Sequence, residues 1–330
     1  MDNKRNSLIE NLKSPGKGVP PLVDIIKDLE YKKEYTINSW FAIGHFETEG
    51  QKLNYLFHLM IMQLPGQPTV LNSCISITNE TTGWYSGEDI IIPLELCEVS
   101  DNEFNIKAPN GFMTGNYEKM TISATMPSGG ISATLLAEGY PLFNGGTGRI
   151  PLLGMDVHQY SLPTLKTTGT ITIEGKEYAI EGDTWFDRQW QIQDKDITTA
   201  NWSWMDINLD NGEKISLWDS LDREAGDERA WATIMQTDGT LTLTSVKNFS
   251  EGASDFWKSP KTGNTYPTHW VIEIADFDAV LEVSPSPREQ EIASMIPFLN
   301  KYEGASFVKG TYKGKEVSGY CYVELVGNWS

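Results

Sequence analysis

The stretch Glu181–Gln191, EGDTWFDRQWQ, places three acids, one Arg and three large aromatics in eleven positions. A solvated loop does not need Trp185, Phe186 and Trp190, and an apolar core rejects unpaired Asp183, Asp187 and Arg188. The mixture fits a polar group at the floor or rim of an apolar pocket, where lost hydration lifts a carboxyl toward the range of a general acid. On a strand, alternation puts Asp183, Trp185 and Asp187 on one face and Phe186, Arg188 and Trp190 on the other. The same mixture recurs in NWSWMDINLDNGEKISLWDSLD, residues 201–222. Asn211-Gly212 between alternating runs predicts a hairpin closed by a two-residue type I′ turn. In that register Trp204 faces Asp219 and Asp206 faces Leu217. Asp206 and Asp219 then share a face with Trp202 and Trp204, on diagonal positions roughly 7–8 Å apart. Met205, Ile207, Leu209 and Trp218 take the other face.

The elements that must hold these groups read as all-β. Short alternating runs such as TVLNSCISIT, KMTISATM and ISATLLAEG are punctuated by Gly, Asn and Asp, the pattern of a sandwich or barrel. Helical spacing is confined to Leu22, Ile25, Ile26 and Leu29 near the N-terminus and to a short segment after Pro287 that Pro297 interrupts. GTITIEGKEYAIEG, from Gly169, and GTYKGKEVSG, from Gly310, echo each other, and each leads into a strand mixing aromatics and acids. The echo predicts two related β-domains, at 36–198 and 199–330, after an N-terminal extension at 1–35.

Other chemistries find little support. The 26 Lys and Arg against 45 Asp and Glu leave a net charge of -19, which repels nucleic acid and anionic membrane surfaces. No apolar run suggests a signal peptide or a membrane span, so a cytoplasmic, reducing location is expected. Cys74, Cys97 and Cys321 have neither metal nor disulfide spacing, and no metal or cofactor is expected. Gly145–Gly148, GGTG, lacks the strand-to-helix context of a phosphate cradle. His58 in YLFHLMIM reads as a core or pocket-wall residue, and His269 as a partner for a loop. The expected ligand is a small hydrophobic molecule, and nothing fixes the oligomeric state.

YSLPTLKTTGTITIEGKEYAIEGDTWFDRQW, Tyr160–Trp190, resembles the end of the N-terminal domain of the AttH/CrtC-like lipocalin superfamily. NWSWMDINLDNG, YPTHWVIEI, SPREQEI and the closing YEGASFVKGTYKGKEVSGYCYVELVG resemble that family's second domain, in the family's order. The resemblance implies two packed lipocalin-like β-barrel or sandwich domains with an apolar cavity at or between them. Members include carotenoid 1,2-hydratases, kievitone-hydratase-like proteins and lipocalin-like Diels–Alderases, none needing a metal or nicotinamide. By the resemblance Asp219 fills the position of a hydratase Asp, while Arg188 stands where the hydratases have a His, and Arg does not shuttle protons.

Three functions follow as expectations. In a hydratase, dehydratase or isomerase, Asp219 protonates an alkene, Asp206 or Asp187 handles water, and Trp202, Trp204 and Trp190 stabilise a cation. In a pericyclase, Arg188 or Tyr320 polarises a carbonyl of a folded polyene. A carrier would only bind. Trp185, Trp218, Glu324 and His58 complete the expected lining.

Overall fold

Strands dominate because β-branched and aromatic residues alternate with small polar ones between closely spaced turns. In the computed structural model, which describes residues 20–64, 66–250, 252–327 and 329, they build two large antiparallel sheets. Along the first, the neighbours are Trp84–Pro93, Val70–Asn79, Gln51–Met62, Ile37–Thr48, Lys176–Gln191, Val157–Ile173, Gly129–Ala137 and Lys119–Met126, with shorter strands beyond. Along the second they are Leu241–Ser245, Asp227–Met235, Lys214–Asp222, Ala200–Leu209, Lys315–Val326, Lys301–Tyr312, Ala279–Pro285 and Trp270–Ile274. The two orders correspond strand for strand. The echoed hairpins also correspond: each turns on two left-handed residues, Glu174-Gly175 and Lys313-Gly314. Their flanking pairs are Ile173 with Lys176 and Tyr312 with Lys315.

Each sheet curls around its own core. Trp40, Tyr55, Phe57, Phe186 and Trp190 belong to the first, and Met205, Ile207, Trp270 and Tyr302 to the second. A third apolar cluster lies between the sheets and joins Phe41, Ile43, Leu56 and Trp185 to Trp204, Trp218 and Tyr322. Strand alternation produces it: Trp40 and Ala42 turn inward while Phe41 and Ile43 turn to the partner sheet. Both faces of the Ile37–Thr48 strand are therefore covered, which is why its burial is nearly continuous.

Three expectations are corrected. Residues 22–31 form no helix; a turn with Asp28 N donating to Asp24 O at 2.7 Å buries Ile25 and Leu29 and leaves Leu22 and Ile26 exposed. The segment after Pro287 holds the short strand Glu291–Ile292 and a single 3-10 turn, Pro297–Leu299, because strand pairing to Lys301 and Tyr302 wins over helical spacing. The third correction alters the candidate site. The 201–222 hairpin closes through three residues, Asp210, Asn211 and Gly212, with Leu209 N donating to Glu213 O at 3.1 Å. Gly212 alone of them has positive φ, +87°, as in a type I turn followed by a left-handed Gly. Trp204 consequently pairs with Trp218, Asp206 with Ser216, and Ser203 with Asp219. One extra loop residue moves Asp219 to the opposite face.

Candidate functional site

A cavity of about 600 Å³ opens between the sheets. The first sheet contributes Ser39, Phe41, His58, Met60, Gln159 and Asp187; the second contributes Trp202, Trp204, Trp218, Lys301 and Glu324. Residues of the 192–199 connection and Pro297–Asn300 close its sides. Phe41, Trp185 and Trp218 pack around Trp204 with ring centres 5.5, 6.1 and 6.4 Å away, and Trp218 stacks on Trp231. This aromatic wall is apolar enough to exclude water, with a few polar groups reaching through it.

Asp187 is one of those groups. It is 5% exposed and accepts from Trp185 Nε1 at 2.6 Å and from Gln159 Nε2 at 3.1 Å. Burial pushes its carboxyl up to about 7, outweighing the hydrogen bonds from Ser161, Trp185 and Gln159, and Glu324 adds to the rise. A carboxyl so placed is half protonated near neutrality and can both give and take a proton. Glu324 lines the same cavity and accepts from Trp202 Nε1 at 2.9 Å.

Beside Glu324 lies a buried charge cluster. Lys301 Nζ is 2.6 Å from Glu303 Oε1 and 3.0 Å from His58 Nδ1, and His58 Nε2 is 2.8 Å from Ser39 Oγ. Burial opposes the Lys301 charge, but Glu303, with Cys74 and Glu324, holds the ammonium above its usual range. Burial, then Lys301, pushes His58 well below its own, so the ring stays neutral.

Other expected residues sit elsewhere. Asp219 points into the second sheet's core side, where its carboxylate accepts from Phe249 N at 3.0 Å and Ser250 N at 2.9 Å. It holds a loop and does not line the cavity. Arg188 projects from the face opposite Asp187, so no Asp187–Arg188 pair forms. Its guanidinium donates to the Asp28, Glu30 and Gln189 carbonyls at 2.9, 2.7 and 2.7 Å and to Asn38 Oδ1 at 2.7 Å. Trp40 and Trp190 cover it, with ring centres 4.4 and 4.9 Å away. Trp190 thus belongs to the first core. Asp206 is buried between the sheets outside the cavity, accepting from Tyr322 N and from Asn208 Nδ2 at 3.0 Å. Tyr320 packs on His45 at 4.3 Å, also outside the lining. Trp185 stands behind the wall and reaches the site through its bond to Asp187.

Ser39, Gln159, Gln189, Gln191, Lys301 and Glu303 escaped the sequence reading. A signal existed for two sets of them. Asp187, Gln189, Gln191 and Gln193 recur at period two and all line the cavity. Lys301 and Glu303 likewise alternate at the start of a strand whose first six residues are all buried. Among the described residues no group of three or more His, Cys, Asp or Glu could hold a metal ion, and no helix is long and apolar enough to cross a membrane.

Known proteins share this architecture. Kievitone hydratase from Nectria haematococca superposes with a TM-score of 0.82 at 22% identity, covering 95% of this chain and 96% of that one. A protein assigned as AttH from Nitrosomonas europaea gives 0.80 at 20% identity, covering 94% of this chain and 100% of that one. Both share the fold, two lipocalin-like β-domains packed together. The dehydratase asqC of Emericella nidulans is 28% identical over 225 residues, 66% of this chain; the alignment spans 63% of that relative's own length. The family described as AttH-like matches residues 19–328, nearly all of the chain. The protein belongs to the AttH-like family.

Proposed function

We infer that this chain is an enzyme of the hydro-lyase type, adding or removing water at an alkene of a hydrophobic polyene, isoprenoid or polyketide-type molecule. The observation that carries the reading is Asp187: a carboxyl at the wall of a water-excluding aromatic cavity, held by neutral donors and poised near neutrality. In the hydration direction Asp187 gives its proton to an alkene carbon. Water bonds to the neighbouring carbon and loses its proton to Glu324 in the same reaction, whichever of the two bonds forms first, and a proton then returns to Asp187 to close the cycle. Trp202, Trp204 and Trp218 pack the hydrocarbon and keep bulk water out. Asp187 takes the acid role that the sequence suggested for Asp219, and no step calls on a metal or an organic cofactor. The names of the relatives, a dehydratase and a hydratase, support the same chemistry.

The row of Gln side chains beside Asp187 also suits a folded polyoxygenated chain, the substrate of a cyclisation. One variant separates the readings. A panel of prenylated phenols, hydroxy-ketones and linear polyenones is incubated with the enzyme, and mass spectrometry reads gain or loss of one water. Asp187→Asn should lower water exchange by ~100-fold or more. A cyclase would isomerise its substrate without mass change and tolerate the substitution, which keeps the shape. A carrier would return every compound unaltered.

A further inference from the structure

The Ser39–His58–Lys301 arrangement fixes the direction of each of its hydrogen bonds. A charged ammonium has donors and no acceptor, so at 3.0 Å Lys301 Nζ must donate to His58 Nδ1. A neutral imidazole carries one N–H, which is then on Nε2. At 2.8 Å that N–H donates to Ser39 Oγ. The Ser39 hydroxyl, receiving a hydrogen bond from His58, therefore keeps its own proton for another acceptor. Among the described residues His58 is the hydrogen-bond partner of Ser39 Oγ, and Ser39 lines the cavity. The ring is held edge-on to Phe41 at 5.2 Å, and the Lys301–Glu303 ion pair sits behind it.

We propose that the Ser39 hydroxyl is the donor that receives a substrate oxygen, with His58 and Lys301 as its positioning residues, and that the substrate is a carbonyl compound such as an enone or β-hydroxy ketone. Ser39 pairs with Gln189 while Phe41 pairs with Asp187, on adjacent strands with the same face toward the cavity. Ser39 and Asp187 are thus diagonal neighbours, roughly 7–8 Å apart at the backbone. Their side chains can bracket a carbonyl oxygen and the carbon beside that carbonyl. When Asp187 takes the proton from this carbon, the electron pair delocalises onto the oxygen held by Ser39. The β C–O bond then breaks, and the departing hydroxyl takes a proton from Glu324 and leaves as water. Addition of water runs the same steps backwards. The inference rests on the hydro-lyase reading for the reaction, but its tests measure protonation and binding and stand apart from turnover.

Long-range ¹H–¹⁵N correlation spectra of the full chain labelled at histidine read the tautomer of each ring. The His58 signals, identified by their loss in His58→Gln, should show the proton on Nε2 at neutral pH. Lys301→Met should release that lock and populate the Nδ1–H form. Should this variant fail to fold, the wild-type spectrum still decides: a proton on Nδ1, or on both nitrogens, overturns the assignment. Binding is read by quenching of tryptophan fluorescence with two isosteric probes, 2-acetylnaphthalene and 2-isopropenylnaphthalene. Wild type should favour the ketone by about fivefold, the net scale of one neutral hydrogen bond, and Ser39→Ala should lose that preference. Equal affinities in wild type, or a preference that survives in Ser39→Ala, overturn the proposal.

Discussion

Replacing Asp187 by Asn should make the protein more stable at pH 8 and not at pH 4. The native carboxyl is pushed up to about 7 by burial, against an ordinary value of 3.8. A raised native value means that the folded state binds this proton more tightly than the unfolded chain. Wild type therefore has the full benefit below the unfolded value, loses it as pH rises toward the folded one, and levels off above. About three units at 1.36 kcal/mol each amount to about 4 kcal/mol of native-state cost at pH 8. Because Asp187 is 5% exposed, solvent screening takes little from this figure. The amide in the Asp187→Asn variant would carry no charge to desolvate. Its carbonyl can still accept from Trp185 Nε1, and its NH₂ can donate to Gln159 once the Gln159 amide turns over; among the described residues Gln159 Oε1 has no hydrogen-bond partner. Urea unfolding of wild type and Asp187→Asn at half-unit steps from pH 4 to 8 measures the difference. It should grow by about 2–4 kcal/mol across that range, with most of the change below pH 7. A difference that stays flat with pH would refute the raised carboxyl and, with it, the reason for choosing Asp187 as the proton carrier.

The structural roles assigned to the other residues carry their own outcomes. Arg188→Met should cost at least about 1–3 kcal/mol, the scale of a buried acceptor left unsatisfied, because the Asp28, Glu30, Ser39 and Gln189 carbonyls and Asn38 Oδ1 lose their donor; calorimetry checks it, and an unchanged melting temperature would contradict the cradle. Arg188→Lys should recover little of that loss, since an ammonium cannot reproduce the planar fork. Asp219→Ala should cost about 1–3 kcal/mol by stranding the Phe249 and Ser250 amides, while turnover per folded molecule stays within a few-fold of wild type. A turnover loss on the scale of Asp187→Asn would restore Asp219 to the mechanism. Trp202→Phe should preserve packing but remove the donor that orients Glu324, and should lower turnover more than the affinity for apolar probes.

How far the site was legible depends on what each residue's position required. Alternation alone assigns Asp187 and Arg188 to opposite faces, and that is where they lie. It does not say which face meets a cavity, because from Thr184 to Gln191 both faces of the strand are covered. Trp185 and Trp190 show the same limit: similar in sequence, they fall into the inter-sheet layer and the first core respectively. Asp219 shows the leverage of a single turn. Asn-Gly marks the hairpin in either geometry, but whether Asp210 joins the loop depends on its surroundings. Ser318 N and Oγ both donate to Asp210 Oδ2, at 3.1 and 2.7 Å, across the neighbouring strand. That tertiary contact is absent from local patterning, and it goes with the register that turns Asp219 away. Residues 22–31 have helical spacing, but their carbonyls serve Arg188 and Trp40, and a helix would consume some of them internally.

The duplicated architecture explains how two acids come to be buried beside one cavity. In each repeat the strand after the closing hairpin lies at the centre of its sheet, between the first and the penultimate long strands. Asp187 sits on that strand in the first repeat and Glu324 on its counterpart in the second. Each strand is already buried on its core side by its own sheet. Packing the two repeats against each other buries the outer side as well, and any acid there must find donors or change its pKa. Asp206 shows the same pressure outside the cavity: burial raises its carboxyl well above the ordinary value, and Tyr322 and Asn208 donate to it. The difference at Asp187 and Glu324 is access, since the sheets leave a cavity in front of them. An acid buried between the two repeats is therefore within reach of a ligand only where the packing is left incomplete. Filling that space tests the point: Met60→Trp at the cavity wall should keep the fold and the raised Asp187 carboxyl while abolishing binding of 2-acetylnaphthalene. If binding persists at wild-type affinity, the probe sits elsewhere and the cavity is not the site.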